Sequence, residues 1–129
     1  MLLSKAQILE IDDIRYEEVF VPQWNGTVRV KVMTGTERDS YETSLYEFKP
    51  GDGNKQGQLK LNREDMRAKL LARVIVDEKN KRLFTDADIR ALGAKSADAL
   101  DVLFEAAQQL NGLAKGDLEK AEKNSGSEA

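Results

Sequence analysis

Two stretches of the sequence combine residue types that could bind phosphate or calcium, and each lacks something that the chemistry requires. Residues 51–57 contain three glycines and a lysine, as phosphate-binding loops do, but the Gly-Lys-Ser/Thr ending and the preceding buried strand are missing. Residues 77–88 have the length of a calcium-binding loop. There, however, Lys79 and Lys81 occupy the third and fifth positions, where oxygen ligands are needed. We therefore predict a surface loop at the first stretch and a capped turn at the second.

Pairs of neighbouring carboxylates are the other candidates for chemistry. Acid–base catalysis requires one carboxylate whose pKa is raised and which faces the second across a cleft. Acidic residues in turns and first helical turns usually cap backbone N–H groups instead. This reading applies to all three pairs: Asp12 and Asp13, Glu17 and Glu18, and Asp86 and Asp88.

The composition removes most other kinds of catalytic site. The chain has no cysteine and no histidine, which excludes thiolate nucleophiles, imidazole bases and the usual zinc ligands. We therefore predict no catalytic, cofactor-binding or metal-binding residue, and a protein that is not an enzyme.

Basic and aromatic residues alternate on one predicted strand and could contact single-stranded nucleic acid. Thr27, Arg29 and Lys31 would share the outward face, with Phe20 and Trp24 nearby. The net charge of −3 opposes this interpretation, because nucleic-acid binders carry a basic surplus. We predict no nucleic-acid partner.

Trp24 is a large aromatic residue at the predicted tip of a hairpin. Large aromatics are favoured at protein interfaces, so Trp24 is a candidate for contact with a partner. It could equally fold back over the hairpin, and the sequence leaves the two interpretations open.

Length and composition indicate one domain. A chain of 129 residues can bury a single core, and 40% apolar with 33% charged residues is typical of a soluble protein. No apolar run approaches the length that a membrane span or a secretion signal requires. We predict an intracellular protein without a membrane partner.

The first third of the chain is predicted to form a short helix and a hairpin. Ser4 and Gln7 form a capping box that opens a helix with Ile8 and Leu9 facing inward. Period-two alternation predicts strands over residues 16–21 and 27–33, with the turn pair Asn25-Gly26 between them. A four-residue loop over residues 23–26 is favoured over a two-residue turn, since the shorter turn would place Pro22 at a hydrogen-bonded position.

The remainder of the chain is predicted to be mainly helical. Thr34 and Glu37 form a second capping box, which opens a helix with an apolar stripe, and the polar loop 49–57 follows that helix. Asn62 is expected to cap the next helix, Gly93 to end a short one in the left-handed conformation, and Gly112 to end the last. The apolar positions of these helices are Tyr41, Leu45 and Phe48, then Leu70, Leu71, Val74 and Ile75, then Ile89 and Leu92, and last Leu100, Leu103, Phe104, Ala107 and Leu110.

The sum of these elements is an α+β fold, with a small N-terminal antiparallel β-hairpin packed on four to five helices. Residues 1–116 are expected to form the single domain. Residues 117–129 are polar and are expected to be a disordered tail.

A series of short motifs resembles the tail assembly chaperones of lambda-like long-tailed bacteriophages. The order and spacing of the motifs agree over about residues 2–113. The motifs are Val-Pro-Gln-Trp-Asn-Gly-Thr-Val-Arg-Val at 21–30, Thr-Gly-Thr-Glu-Arg-Asp at 34–39, Arg-Leu-Phe-Thr-Asp-Ala-Asp-Ile at 82–89, Ala-Leu-Gly-Ala-Lys-Ser-Ala at 91–97 and Leu-Asn-Gly-Leu at 110–113.

The resemblance implies an assembly factor. Such proteins bind the tape measure protein in the host cytoplasm, keep it soluble until tail tube subunits polymerise around it, and are absent from the mature virion. In the family, ribosomal frameshifting also makes a longer product whose extra domain recruits the tail tube protein, and this chain would be the shorter form. Self-association is left open. The alternative is a minor tail or adaptor protein that is incorporated in the virion.

The partner-binding surface is predicted where the apolar pattern continues past the end of the last helix. A tape measure protein exposes long apolar helical stripes, which a small domain could cover by helix-in-groove packing. Core packing is the alternative for Leu103. The candidate residues are Trp24, Leu103, Leu110, Leu113 and Leu118.

Overall fold

The computed structural model describes residues 1–113, and within them the predicted α+β class is confirmed. Five α-helices accompany a three-stranded and a two-stranded antiparallel sheet in this part of the chain. The predicted domain boundary at residue 116 and the tail 117–129 lie outside the described residues. The elements are α1 Lys5–Glu10, β1 Tyr16–Val21, β2 Gly26–Lys31, α2 Gly35–Ser44, β3 Tyr46–Lys49, β4 Gln58–Leu61, α3 Met66–Val74, β5 Ile75–Val76, α4 Ile89–Gly93 and α5 Ala97–Leu110.

The first hairpin joins β1 to β2 through a four-residue loop, which begins one residue earlier than predicted. Val21 pairs with Gly26, and the loop consists of a 3₁₀ turn at Pro22–Trp24 followed by Asn25 in the left-handed conformation (φ 46°). The first position of a 3₁₀ turn suits proline, because no N–H is needed there. The valines still share one face, as predicted, and Val21 and Val30 are fully buried.

The strand β5 extends the first sheet, whose order is β1-β2-β5. The chain then turns at Asp77, whose Oδ1 accepts hydrogen bonds from the N–H groups of Lys79 (2.8 Å) and Lys81 (3.0 Å). This confirms the capped turn. Leu83 N–H donates to Ile75 O (3.0 Å), so the returning chain covers the outer edge of β5.

A second hairpin, β3–β4, was not predicted. The helix α2 ends at Ser44 and the chain becomes extended, so helical spacing no longer applies at Phe48. Phe48 pairs with Leu59 across the two strands, and each side chain is 63% exposed. The prediction that Phe48 faces the core is therefore wrong, whereas Tyr41 and Leu45 are buried as predicted.

The helix α1 begins as predicted but does not pack as predicted. The capping box is present, because Ser4 N–H donates to Gln7 Oε1 (2.8 Å) and Gln7 N–H donates to Ser4 Oγ (3.2 Å). Yet α1 buries no side chain, and Ile8 and Leu9 are 56% and 74% exposed. A capping box fixes where a helix starts and not which surface it meets, so the predicted inward orientation is wrong.

The core lies chiefly between α3 and α5. Leu70, Leu71 and Leu103 are fully buried there. The helix α3 begins later than predicted: Asn62 Oδ1 accepts from Glu64 N–H (2.9 Å) in a turn, and Asp65 occupies the N-cap position without a capping side-chain bond.

Two glycines differ in how they end their helices. Gly93 lies in the last turn of α4, and the C-cap that follows it is right-handed, so the predicted left-handed cap is wrong. The side chain of Asp65 lies close to Gly93, and a Cβ atom there would be 2.4 Å from Asp65 Oδ1, so the carboxylate would have to move. Gly112 has φ 66° and ends α5 as predicted, with Leu113 N–H donating to Gln108 O (2.8 Å).

The side chain of Asn111 connects the end of α5 to β2. Its Oδ1 accepts from Met33 N–H (2.7 Å), and its Nδ2 donates to Lys31 O (3.3 Å) and to Ala107 O (2.9 Å). The side-chain amide therefore satisfies the backbone where the chain leaves β2. Asn111 itself is only 9% exposed.

Candidate partner-binding groove

An open groove lies between the first hairpin loop and α4. Its volume is about 350 Å³, which is large enough for one or two large apolar side chains. It is lined by Trp24, Phe84, Asp88, Ala91, Leu92 and Lys95.

The sequence positions the groove walls through local hydrogen bonds. The 3₁₀ turn holds Trp24, since Asn25 N–H donates back to Pro22 O (3.1 Å). Trp24 is 38% exposed, so it contacts the domain and still presents part of its ring to solvent. Leu92, which is 4% exposed, forms the floor. Phe84 lies just before the capping box of Thr85.

The two charged residues of the groove differ in their availability. Asp88 Oδ2 accepts from Thr85 N–H (2.8 Å) and from Thr85 Oγ1 (3.1 Å), so this carboxylate is committed to the cap. Lys95 is exposed, and its ammonium group makes no hydrogen bond or salt bridge within residues 1–113. The groove therefore combines an apolar floor and aromatic walls with one free positive charge.

Among the described residues, no three carboxylates come together in a group that could hold a metal ion. The groups with shifted pKa values lie in structural contacts. Burial raises the pKa of Tyr41 to about 12, and the hydrogen bond from Arg82 lowers the pKa of Asp86.

One further carboxylate and the basic residues of the first sheet belong to the same structural contacts. Burial alone would raise the pKa of Glu37, but hydrogen bonds from Lys31 and from Thr34 N–H hold it below its usual value. Arg29 pairs with Glu18 (2.9 Å) and Lys31 with Glu37. These two cations are therefore engaged within the domain, on the face that was considered for nucleic acid.

The candidate partner-binding residues predicted from the sequence lie in different places in the structure. Trp24 lines the groove. Leu103 is fully buried, which favours core packing, the alternative considered for this residue. Leu110 and Leu113 are half-buried against the core, and neither lines the groove. Leu118 lies outside the described residues.

Sequence reasoning missed most of the groove. Phe84, Ala91 and Lys95 are distant from Trp24 along the chain, and no local pattern indicates that they meet. The alternation of apolar and polar residues over 46–49 and 58–61 could have revealed the exposed pair Phe48 and Leu59.

The described residues form a small α+β domain with one apolar groove beside Trp24. The family model described as phage tail assembly chaperone matches residues 4–124, and the chain belongs to that family. No curated protein and no solved structure matches the chain. The family resemblance drawn from the motifs is confirmed. Within residues 1–113, none of the helices has the length and apolarity needed to cross a membrane.

Proposed function

We propose that this chaperone binds the tape measure protein during tail assembly, keeps it soluble, and carries out no catalysis. The observation that supports this function is the apolar groove beside Trp24, in a chain whose family assists tail assembly. A tape measure protein exposes long apolar helical stripes, and a groove with aromatic walls can take apolar side chains from such a stripe.

The size and charge of the groove fit a reversible contact. A groove of about 350 Å³ accommodates only a short part of a helix, so each contact between one copy of the chaperone and the tape measure protein is weak. Many copies bound along one tape measure chain would still protect it, because repeated contacts give avidity. The free ammonium group of Lys95 favours stripes that carry an acidic residue beside the apolar ones.

Replacing Trp24 with alanine is expected to weaken tape measure binding by about tenfold or more, since buried interface tryptophans commonly contribute 2 kcal/mol or more. The measurement is retention of a tagged tape measure fragment in the soluble fraction after co-expression, followed by titration of the purified partners. Phe48→Ala is the matched control, because Phe48 is an exposed aromatic residue outside the groove.

A second variant distinguishes a loss of binding from a loss of folding. Lys95→Glu changes the charge at the groove rim without touching the core, and it should weaken binding about three- to tenfold at low salt. If Trp24→Ala and Lys95→Glu both bind like the unaltered chain, the groove is not the site. If the unaltered chain itself fails to retain the fragment, the tape measure protein is not its partner.

The proposal includes a place and a time of action. We propose that the chain acts in the host cytoplasm as the shorter product of a frameshifted gene, with the tail tube protein recruited by the longer product. The protein should then be undetectable by mass spectrometry in purified virions and abundant in the infected-cell lysate. Stoichiometric presence in virions would favour the alternative, a minor tail or adaptor protein.

A further inference from the structure

The outer edge of β1 carries unpaired backbone groups. The sheet order places β1 at an edge, and Val32 N–H donates to Arg15 O (2.9 Å) in the ladder with β2. Backbone groups of an antiparallel strand point alternately to either side. Tyr16, Glu18 and Phe20 therefore direct their N–H and C=O groups away from β2, and these groups have no partner within residues 1–113.

Of the features that usually protect an edge strand, this edge has charged side chains, at Glu17 and Glu18. Natural edge strands are also shortened, bulged, interrupted by proline or covered by another segment. The strand β1 spans Tyr16–Val21, contains no proline and pairs with β2 in unbroken register. The opposite edge of the same sheet is covered, because the returning chain bonds to Ile75. Within residues 1–113, the two edges of this sheet therefore differ, because the returning chain bonds to β5 and no described segment pairs with the outer edge of β1.

The side chains along the edge define the chemistry of that partner. Tyr16 and Phe20 are 41% and 56% exposed and flank Glu18 on the outer face. On the inner face, Glu17 is exposed and Val19 is half-buried. Glu18 is paired with Arg29, yet its side chain remains 62% exposed. From residue 16 to residue 20 the edge therefore reads aromatic, acidic, acidic, apolar, aromatic.

The chain before β1 adds to the negative charge. Glu10, Asp12 and Asp13 lie just ahead of the strand and are exposed, and they outnumber the basic residue there, Arg15, whose Nη2 donates to Leu110 O (3.5 Å). Opposite charges stabilise cross-strand pairs, and like charges placed directly opposite destabilise them. A complementary strand must therefore be basic at its centre.

We propose that the β1 edge binds, by strand addition, an extended segment of another protein with two basic residues flanked by apolar ones. An antiparallel partner would read apolar, apolar, basic, basic, apolar, so that its basic pair faces Glu18 and Glu17 and its apolar residues face Phe20, Val19 and Tyr16. The backbone bonds supply affinity for any extended chain, and the basic pair supplies selectivity. This surface is separate from the Trp24 groove and would take an extended segment rather than a helix.

A second copy of the chain is a poorer occupant. Antiparallel pairing of two β1 strands centred on Glu17 or on Glu18 places two carboxylates directly opposite each other. The acidic residues ahead of the strand would add to this repulsion. Charge complementarity therefore favours a basic segment from a different protein.

The test uses the full chain and a synthetic peptide, Ser-Leu-Val-Lys-Arg-Val-Ser, with Ser-Leu-Val-Glu-Glu-Val-Ser as the matched control. Amide hydrogen exchange by nuclear magnetic resonance reads the effect, because strand addition engages the N–H groups of Tyr16, Glu18 and Phe20 and should slow their exchange. The basic peptide should bind at least about fivefold more tightly than the acidic one.

Glu18→Pro is the decisive variant. Its N–H faces outward, so proline removes an edge donor without removing a bond of the β1–β2 ladder, and peptide affinity should fall about tenfold or more. Glu18→Gln keeps the donor and should lose only a few-fold. Equal binding of both peptides, or unchanged edge exchange at saturation, would overturn the proposal. A second copy of the chain as the occupant would also overturn the proposal. In that case, protection of the edge N–H groups would depend on protein concentration alone and would disappear when Glu18→Pro makes the chain monomeric.

Discussion

Replacing Leu103 with alanine will lower the free energy of unfolding by about 3 to 5 kcal/mol. Leu103 is fully buried in the cluster that joins α5 to α3, and its neighbours Ala99 and Ala107 on the same helix are also fully buried. Alanine removes apolar contacts and leaves a cavity that closely packed helices fill only in part. Urea unfolding followed by circular dichroism gives the change directly.

The same variant decides between the two roles considered for Leu103. A core residue affects stability, so the Leu103→Ala protein that remains folded should bind the tape measure fragment as the unaltered chain does. Leu110→Ala is the matched control, because Leu110 is only half-buried and should lose about 1 to 2 kcal/mol. An unchanged unfolding midpoint combined with weaker binding would return Leu103 to the partner surface.

The sequence predicted local features of the fold well because the atoms that determine them are close along the chain. The capping boxes at Ser4 and Thr34 are both present, since each needs only a side chain and backbone three residues apart. The left-handed end at Gly112 and the turn at Asp77 are local in the same sense.

The wrong predictions arise at residues whose burial or conformation depends on tertiary contacts. Leu9 has the right spacing for an inward face, but no part of the described domain covers α1. Phe48 continues an apolar stripe in the sequence, yet the chain becomes extended after Ser44 and pairs with β4 instead. Gly93 has no left-handed conformation, and its close neighbour is Asp65 from a different segment, which no local pattern could show.

The candidate site likewise combines a residue that the local sequence indicates with contacts that only the tertiary structure shows. Trp24 was identified from the sequence because an aromatic residue at a hairpin tip is locally unusual. The groove itself depends on bringing the loop Pro22–Trp24 beside Phe84, Leu92 and Lys95, which come from a region far along the chain. Only the folded structure could assemble these residues into one surface.

Replacing Asn111 with alanine should lower the free energy of unfolding by about 2 to 4 kcal/mol. The change leaves Met33 N–H and Lys31 O without their side-chain partner at the buried junction of α5 and β2, and each unsatisfied buried group costs about 1 to 3 kcal/mol. The measurement is again the urea unfolding free energy. Asn62→Ala is the control, because Asn62 bonds to a backbone N–H at an exposed turn, and its loss should be below about 1 kcal/mol.

The hydrogen bonds that the Asn111 side chain accepts and donates between α5 and β2 are called the Asn111 clamp below. The variant Asn111→Asp tests the accepted and the donated bonds separately. A carboxylate at this position still accepts from Met33 N–H but cannot donate to the carbonyl oxygens of Lys31 and Ala107. Burial beside carbonyl oxygens raises the pKa of such a group in the folded state, so stability should be regained as the pH falls and the acid becomes a donor again. Stability that is independent of pH, or a loss no greater than that of Asn62→Ala, would contradict the clamp.

The Asn111 clamp gives the Leu-Asn-Gly-Leu motif at 110–113 a role in folding, because its asparagine bonds to the backbone at the end of β2 and its glycine ends α5.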